Sequence, residues 1–463
     1  MVGYADFLKT KVIVDPPTGI ADAPALNPKL KHFQRDIATW ALRRGRAAIF
    51  AGTGLGKSFM ELEWCRVVAQ HTGKPVLIFT PLAVAAQFVA EGEKWGDPVN
   101  HVRSGDEMRP GINVTNYEKI EHFDLTQVGG VVLDESSILK AYDGKTRTQL
   151  IQTCQAVPFR LAASATPAPN DFMELGNHAE FLGVMSYTDM LATFFMHDSS
   201  ETQTWRLRGH AEEPFWRWMC SWAITLRKPS DLGYENAGYD LPPLNQIEHR
   251  VGVPYEPSID SGLLFPMEAQ SLSERLGARR GSIKERVAKA AEVTPPDRPF
   301  VWWCNLNAEA EAVCAAVPDA IEVRGSDSEA SKEKKLADFA AGRIRVLVTK
   351  PSICGWGLNW QHCADTGFVG LSDSFEQIYQ AIRRFWRFGQ TRPVTAHFIA
   401  AETEGAVVSN IRRKEQQADH MVASMIDHMR DINAAEIHGL VRDRASYIPT
   451  SKMGIPKWLT PAA

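Results

Sequence analysis

Three short stretches of this sequence carry residue types whose spacing suits phosphate chemistry. The first, "IFAGTGLGKSFMELEW" at residues 49–64, runs through Gly52, Gly54 and Gly56 into Lys57-Ser58 and a helix-like segment. Glycines permit the positive φ of a tight turn, and the amides that open a helix hold phosphate oxygens. In such a loop Gly52, Thr53, Gly54, Leu55 and Gly56 cradle the phosphates of ATP, Lys57 contacts the β and γ phosphates, and the Ser58 hydroxyl ligates Mg²⁺. Ala51 stands where the strict pattern G-x-x-x-x-G-K-[ST] has glycine, so the match is to the looser A-x-x-G-x-G-K-[ST], with a structural glycine turn as the alternative.

The second stretch, "VVLDESS", ends an apolar run with Asp134-Glu135. Downstream of a phosphate loop, the first carboxylate holds Mg²⁺ through water and the second orients or deprotonates the attacking water. Taken alone, the pair would cap the following helix. The third stretch, "QAIRRFWRFGQ" at 380–390, places Arg384 and Arg387 three apart on a predicted helix, where they share one face. Guanidinium groups reaching a γ phosphate stabilise the charge of a loose phosphoryl-transfer transition state. Without the other two stretches, a solvated helix face is the plainer reading.

Such groups need strand ends and helix starts to hold them, and the sequence supplies both. Apolar runs of buried-strand length at 46–50, 75–80, 111–116, 129–135 and 159–164 alternate with helix-like segments. A second series at 300–305, 320–325, 344–350, 366–371 and 394–400 repeats the rhythm. Strands so apolar belong to parallel sheets covered on both faces, which predicts an α/β protein of two doubly wound lobes. The Gly, Pro and Asn stretch "LGYENAGYDLPPL" at 232–244 marks a boundary between them. Residues 171–231 carry Trp205, Trp216, Trp218 and Trp222 with little strand signal and read as a helical appendix whose tryptophans pack in a core.

A chain of 463 residues suggests two or three domains. With 51 Lys and Arg against 55 Asp and Glu, the net charge of -4 gives no global hint of a polyanionic partner. Basic footprints are local, at "RLGARRGSIKERVAKA" (275–290) and "IRRKEQQ" (411–417), with a solvated helix face as the alternative for each. Seven scattered cysteines and the lack of an apolar leader or spanning segment predict a soluble, reducing, cytoplasmic setting and no membrane partner.

In chain order these stretches resemble the superfamily 2 helicases, more closely the Snf2 (SWI2/SNF2) branch of DNA-dependent ATPases, over roughly residues 30–400. "HFQRDIATW" resembles the Q element, which implies that Gln34 reads the adenine. "FTPLAVAAQF" is similar to motif Ia, "NYEKI" to the element after it, and "LAASATPAPND" to motif III, whose Ser164 and Thr166 would couple ATP state to lobe position. "ITLRKPSDLGYENAGYDLPPL" resembles an Snf2 segment, and "VTKPSICGWGLNWQHCADTGFVG" resembles motif V with Gly355, Gly357, Leu358 and Asn359 at its core. "QAIRRFWRFGQ" matches motif VI in Gln380, the two arginines and the closing Gly-Gln.

The resemblance implies RecA-like lobe 1 at 1–170, the helical appendix at 171–231, a linker at 232–250, RecA-like lobe 2 at 251–405 and a C-terminal helical extension at 406–463. It also implies an ATP cleft between the lobes. Gln34, Gly52 to Ser58 and Gly357 would hold ATP, while Lys57, Glu135, Gln380, Arg384 and Arg387 would catalyse its hydrolysis. Ser58 and Asp134 would bind Mg²⁺, and Thr80, Asn116, Tyr117 and Thr349 would touch nucleic acid.

Motif II departs from the family in reading Asp-Glu-Ser-Ser, so the coupling made by the usual histidine must be missing or replaced. In motif VI, Arg383 and Trp386 stand where Asp and His are usual, which suggests compensation across the same interface. The expected activity is translocation on duplex DNA, sequence-independent and salt-sensitive, that remodels bound protein in a prokaryotic cell or a phage-infected host. The alternatives are an RNA-dependent helicase, or an ATP-binding switch that recruits a partner such as a nuclease.

Overall fold

The computed structural model describes residues 14–81, 84–140, 144–168, 171–197, 205–236, 238–252, 279–354, 359–371, 374–402 and 405–437. The first half of the chain builds β1 (Arg46–Ala51), β2 (Val76–Thr80), β3 (Val99–His101), β4 (Ile112–Asn116), β5 (Gly130–Asp134), β6 (Phe159–Ser164), the short antiparallel pair β7 (Phe195–His197) and β8 (Trp205–Leu207), and β9 (Ala223–Leu226). All but β7 and β8 join one seven-stranded parallel sheet in the order β3-β4-β2-β5-β6-β1-β9. The second half builds β10 (Leu244–Val251), β11 (Phe300–Trp303), β12 (Ala320–Glu322), β13 (Val346–Thr349), β14 (Asp365–Phe368) and β15 (Val394–Ala401). They form a six-stranded parallel sheet in the order β10-β15-β14-β11-β13-β12. The α/β expectation holds at this level, and every strand read from the sequence is present.

Successive side chains of a strand point to opposite faces, and both faces are packed here. In β1, Ala48 and Phe50 enter one apolar cluster while Ala47, Ile49 and Ala51 enter the other. In β11, Val301 and Trp303 face one cluster while Phe300 and Trp302 face the other. Trp216, Trp218 and Trp222 are buried in the first-sheet cluster, and Trp205 packs against it. The appendix stretch also supplies β9, and the linker stretch supplies most of β10, the edge strand beside β15.

The helix Gly405–Ile437 spans 33 residues, about 50 Å of rise. Its Ile411 and Ala418 join a second-sheet cluster, whereas Met421, Met425 and Met429 join the tryptophan cluster of the first sheet. Glu436 near its end accepts from Arg44 at 2.6 Å and from Trp40 at 3.1 Å. One helix therefore ties both sheets together. Among the described residues no helix is long and apolar enough to cross a membrane.

Candidate functional site

The loop after β1 turns through Gly54 (φ 89°) and Gly56 (φ 77°) and enters the helix Lys57–Thr72. Close approach excludes side chains at both glycines: a Cβ on Gly56 would lie 2.4 Å from Gln34 Nε2, and one on Gly54 would lie 2.8 Å from the backbone N of Phe388. Phe388 belongs to the second half of the chain, so the two sheets meet over this loop. Gln34 is buried; its Nε2 donates to Leu55 O at 2.9 Å, and its Oε1 accepts from Lys31 N at 2.9 Å. Lys57 Nζ donates to Ala51 O at 3.0 Å, at the mouth of the loop. The Ser58 hydroxyl hydrogen-bonds Glu91 on the helix Ala85–Trp95.

Asp134 ends β5 and is held from two neighbours. Thr80 Oγ1 at the end of β2 donates to its Oδ2 at 2.8 Å, and Tyr117 Oη, just past β4, donates to its carbonyl at 2.6 Å. Glu135 has φ 54°, a left-handed backbone for a non-glycine residue. Such conformations cost about 1–3 kcal/mol and cluster at functional sites. Burial pushes its carboxyl up to about 7, against the pull of Lys57 and Arg384, with Asp134 adding to the rise. Burial raises Asp134 as well, opposed by its Thr80 hydrogen bond and by Lys57.

The helix Phe375–Ile382 delivers the arginines, but it ends before them. Arg384 and Arg387 sit in the tight turn that follows, closed by Arg384 N to Ala381 O at 3.2 Å and Phe385 N to Ile382 O at 3.0 Å. Gln390 Nε2 donates to the Phe385 carbonyl in that turn. Arg384 is buried and bonds back to Gln380, through Nε to the carbonyl at 3.0 Å and through Nη2 to Oε1 at 3.3 Å. Burial and Arg387 lower it to about 9, with Glu135 and Asp134 opposing, so it stays charged at neutral pH. Arg387 donates to Asn359 and has Glu91 as its opposite charge.

Several buried polar atoms from both sheets lack a partner here: Glu135 Oε2, Thr166 Oγ1, Gln380 Nε2 and Arg387 Nε. Buried polar groups are rarely left so, and donors and acceptors of this kind suit a phosphate and an attacking water. Ser164 Oγ accepts from Thr166 N at 3.1 Å, which places both motif III residues at the end of β6, beside β1 and β5. A cavity of about 600 Å³ adjoins the loop; Gly52, Thr53, Leu55, Thr166, Tyr239 and Phe388 line it, and Glu415 and Asp419 of the helix Gly405–Ile437 border it.

Glu61, unnoticed in the sequence, is fully buried one turn after Lys57, and both its oxygens are unpaired. Burial raises its carboxyl, and Asp134, Glu135 and Glu91 raise it further. Among the described residues no group of three or more His, Cys, Asp or Glu side chains could hold a metal ion. Mg²⁺ on a nucleotide takes one or two protein ligands and completes its shell with phosphate oxygens and water. The Ser58 hydroxyl and the Asp134 carboxylate fit that need, and the surplus of mutually repelling carboxylates favours a cation.

Thr80, Asn116, Tyr117 and Thr349, read as nucleic-acid contacts, are all buried. Thr80 and Tyr117 hold Asp134, and Thr349 Oγ1 donates to Val323 O at 3.2 Å. The basic stretch 275–290 also turns inward in part: Arg279 is buried, and Arg286 pairs with Glu309 at 2.8 Å with both side chains fully buried. Gly357, like Gly355 and Leu358, lies outside the described residues. Arg383 lies over Tyr379 and Trp386 of its own segment, at 4.8 and 4.3 Å, and borders the same cavity as Thr166 of the first half.

No protein-family model matches the chain. It is similar to protein p41 of Acyrthosiphon pisum secondary endosymbiont phage 1, 23% identical over 458 aligned residues that cover 83% of this chain and 96% of that protein. The likeness to a phage protein fits one of the two origins expected from the sequence, a phage or a prokaryote.

Proposed function

We propose that this chain is a nucleic-acid-dependent ATPase of two RecA-like lobes, a small motor of the Snf2 kind that moves on duplex DNA and remodels bound protein. One observation carries the hydrolytic part: Lys57 from the first half of the chain and Arg384 from the second both lie within electrostatic reach of Glu135. Lys57 and the loop amides would bind the β and γ phosphates. Glu135, poised near neutrality, would take the proton of the attacking water, and Arg384 and Arg387 would neutralise charge on the departing phosphoryl group. Ser58 and Asp134 would hold Mg²⁺, which would supply positive charge to offset that of the phosphates. Because the arginines come from the other sheet, turnover would require the sheets to stand together, and each cycle would convert into relative motion. The choice of duplex DNA rests on the Snf2 resemblance.

The test is steady-state ATP hydrolysis without nucleic acid and with duplex DNA, single-stranded DNA or structured RNA, with Glu135→Gln as the blank. Stimulation by duplex DNA that vanishes in the variant is expected. RNA-selective stimulation would move the reading to an RNA helicase, and no turnover under any condition would reject the ATPase.

A further inference from the structure

Motif II here ends in Ser136-Ser137, and the structure shows where its polar reach goes. Ser137 Oγ donates to Glu376 Oε1 at 2.8 Å, across from the first sheet to the helix Phe375–Ile382. Lys140 Nζ pairs with the other oxygen, Oε2. The Glu376 side chain is 12% exposed, whereas that of Lys140 is 36% exposed and keeps part of its hydration. Both carboxylate oxygens are thus gripped by one five-residue turn, Ser136–Lys140.

That turn is itself braced from beneath. His178 Nε2 bonds Ser136 Oγ at 3.1 Å, and Asn177 Nδ2 donates to Lys140 O at 3.2 Å. Burial pushes His178 down to about 4, so at neutral pH it is an uncharged brace. On the opposite side, Glu376 and Gln380 are one turn apart on a single helix face, and Arg384 follows four residues on, bonded back to Gln380. Two runs of chain therefore face each other: Ser137 and Lys140 meet Glu376, while Asp134 and Glu135 lie within electrostatic reach of Arg384.

We propose that Glu376 is a positioning residue whose two-pronged contact with Ser137 and Lys140 sets the register in which Arg384 arrives beside Glu135. In this chain it replaces the motif II histidine as the link between the acidic pair and the arginine turn. Its consequence for turnover rests on the ATPase reading, whereas its role in holding the sheets together does not.

The experiment exchanges the charges: Glu376→Lys, Lys140→Glu and the double variant, each as the full chain. Two quantities are read: kcat and KM for ATP, and the radius of gyration by small-angle X-ray scattering. Each single variant should lower kcat about tenfold to a hundredfold, the loss that follows a misplacement of about 1 Å in a catalytic group, with KM changed less than about threefold. Each should also expand the particle. The double variant should restore compactness and recover most of kcat, the signature of a direct pair rather than of general damage. A double variant no better than its worse parent in either readout overturns the proposal, as does a loss that falls on KM alone.

If wild type hydrolyses no ATP, the ATPase reading fails, and the scattering series still decides the latch. Should Glu376→Lys not fold, Glu376→Gln carries the test. It keeps the shape and the Ser137 bond, and it should cost about fivefold in kcat at unchanged KM; wild-type kcat would overturn the proposal.

Discussion

The Glu135 carboxyl offers the sharpest quantitative handle on the proposed chemistry. Burial lifts it to about 7, with Lys57 and Arg384 opposing and Asp134 adding to the rise. A general base must be ionised to accept a proton, so kcat/KM for ATP, which reports the free protein, should rise with pH through the midpoint and level off above it. One unit below the midpoint about one molecule in eleven is ionised, which puts kcat/KM near pH 6 at about a tenth of its plateau. One unit above it, about nine-tenths of the plateau is reached. Arg384→Gln removes a cation that favours the ionised form, so its limb should shift to higher pH by on the order of one unit, beneath an already lowered plateau. The assay is initial rates at subsaturating ATP and fixed ionic strength, with Glu135→Gln as the blank. A profile level across the neutral range, with the blank inactive, would refute a base poised there. A limb near the ordinary carboxylate range would mean that burial does not raise this group in solution.

Three further outcomes follow from packing. Gly56→Ala forces a Cβ into a φ 77° backbone, 2.4 Å from Gln34 Nε2; it should cost about 1–2 kcal/mol of stability and at least about tenfold in ATP affinity, the free-energy equivalent of 1.4 kcal/mol. Calorimetric titration with ATP checks it, and affinity within twofold of wild type would reject the cradle. Met425→Ala removes a fully buried side chain from the tryptophan cluster and should cost about 2–4 kcal/mol in urea unfolding. A loss under about 1 kcal/mol would mean that the helix Gly405–Ile437 is not part of that core. Arg286→Met leaves Glu309 fully buried without its cation and should cost about 3–5 kcal/mol, while adding Glu309→Gln should recover part of it; equal stability of the single variant and wild type contradicts the buried pair.

How much of this was legible beforehand depends on where the determining contacts lie. β2 and β5 announced themselves because both faces of a central parallel strand are covered, so its residues read as a largely apolar run; β6 does so apart from Arg160 and Ser164. β10 did not: "LNQIEHRV" is an edge strand with exposed polar positions, and its pattern resembles a loop. β9 has only four residues, following directly on a tryptophan-rich helix, and its burial comes from the neighbouring β1 and the helix Gly405–Ile437. The glycine turn and the helix after it were readable because the stretch is contiguous, whereas Glu61, His178 and Glu376 matter only through contacts that folding creates. A hydroxyl at a strand end is equally ambiguous: Thr80 has the chemistry of a phosphate contact, yet its side chain is spent on Asp134.

The two stretches that depart from the helicase motifs they resemble illustrate the same limit from the other direction. Both motif II and motif VI differ from the usual residues, and pairing the two changes with each other is the economical guess. Geometry separates them. Arg383 and Trp386 stack on each other, and Trp386 Nε1 donates to Pro242 O at 2.6 Å, so both have partners within the second half of the chain. Ser137 is short, and a short donor reaches across an interface only if its partner is long. Glu376 supplies the length, and Lys140, three residues past Ser137 on a single turn, balances its charge. Ser137, Lys140 and Glu376 thus form one contact across the two halves of the chain, and its third member lies outside the stretch 380–390 on which the sequence reading concentrated.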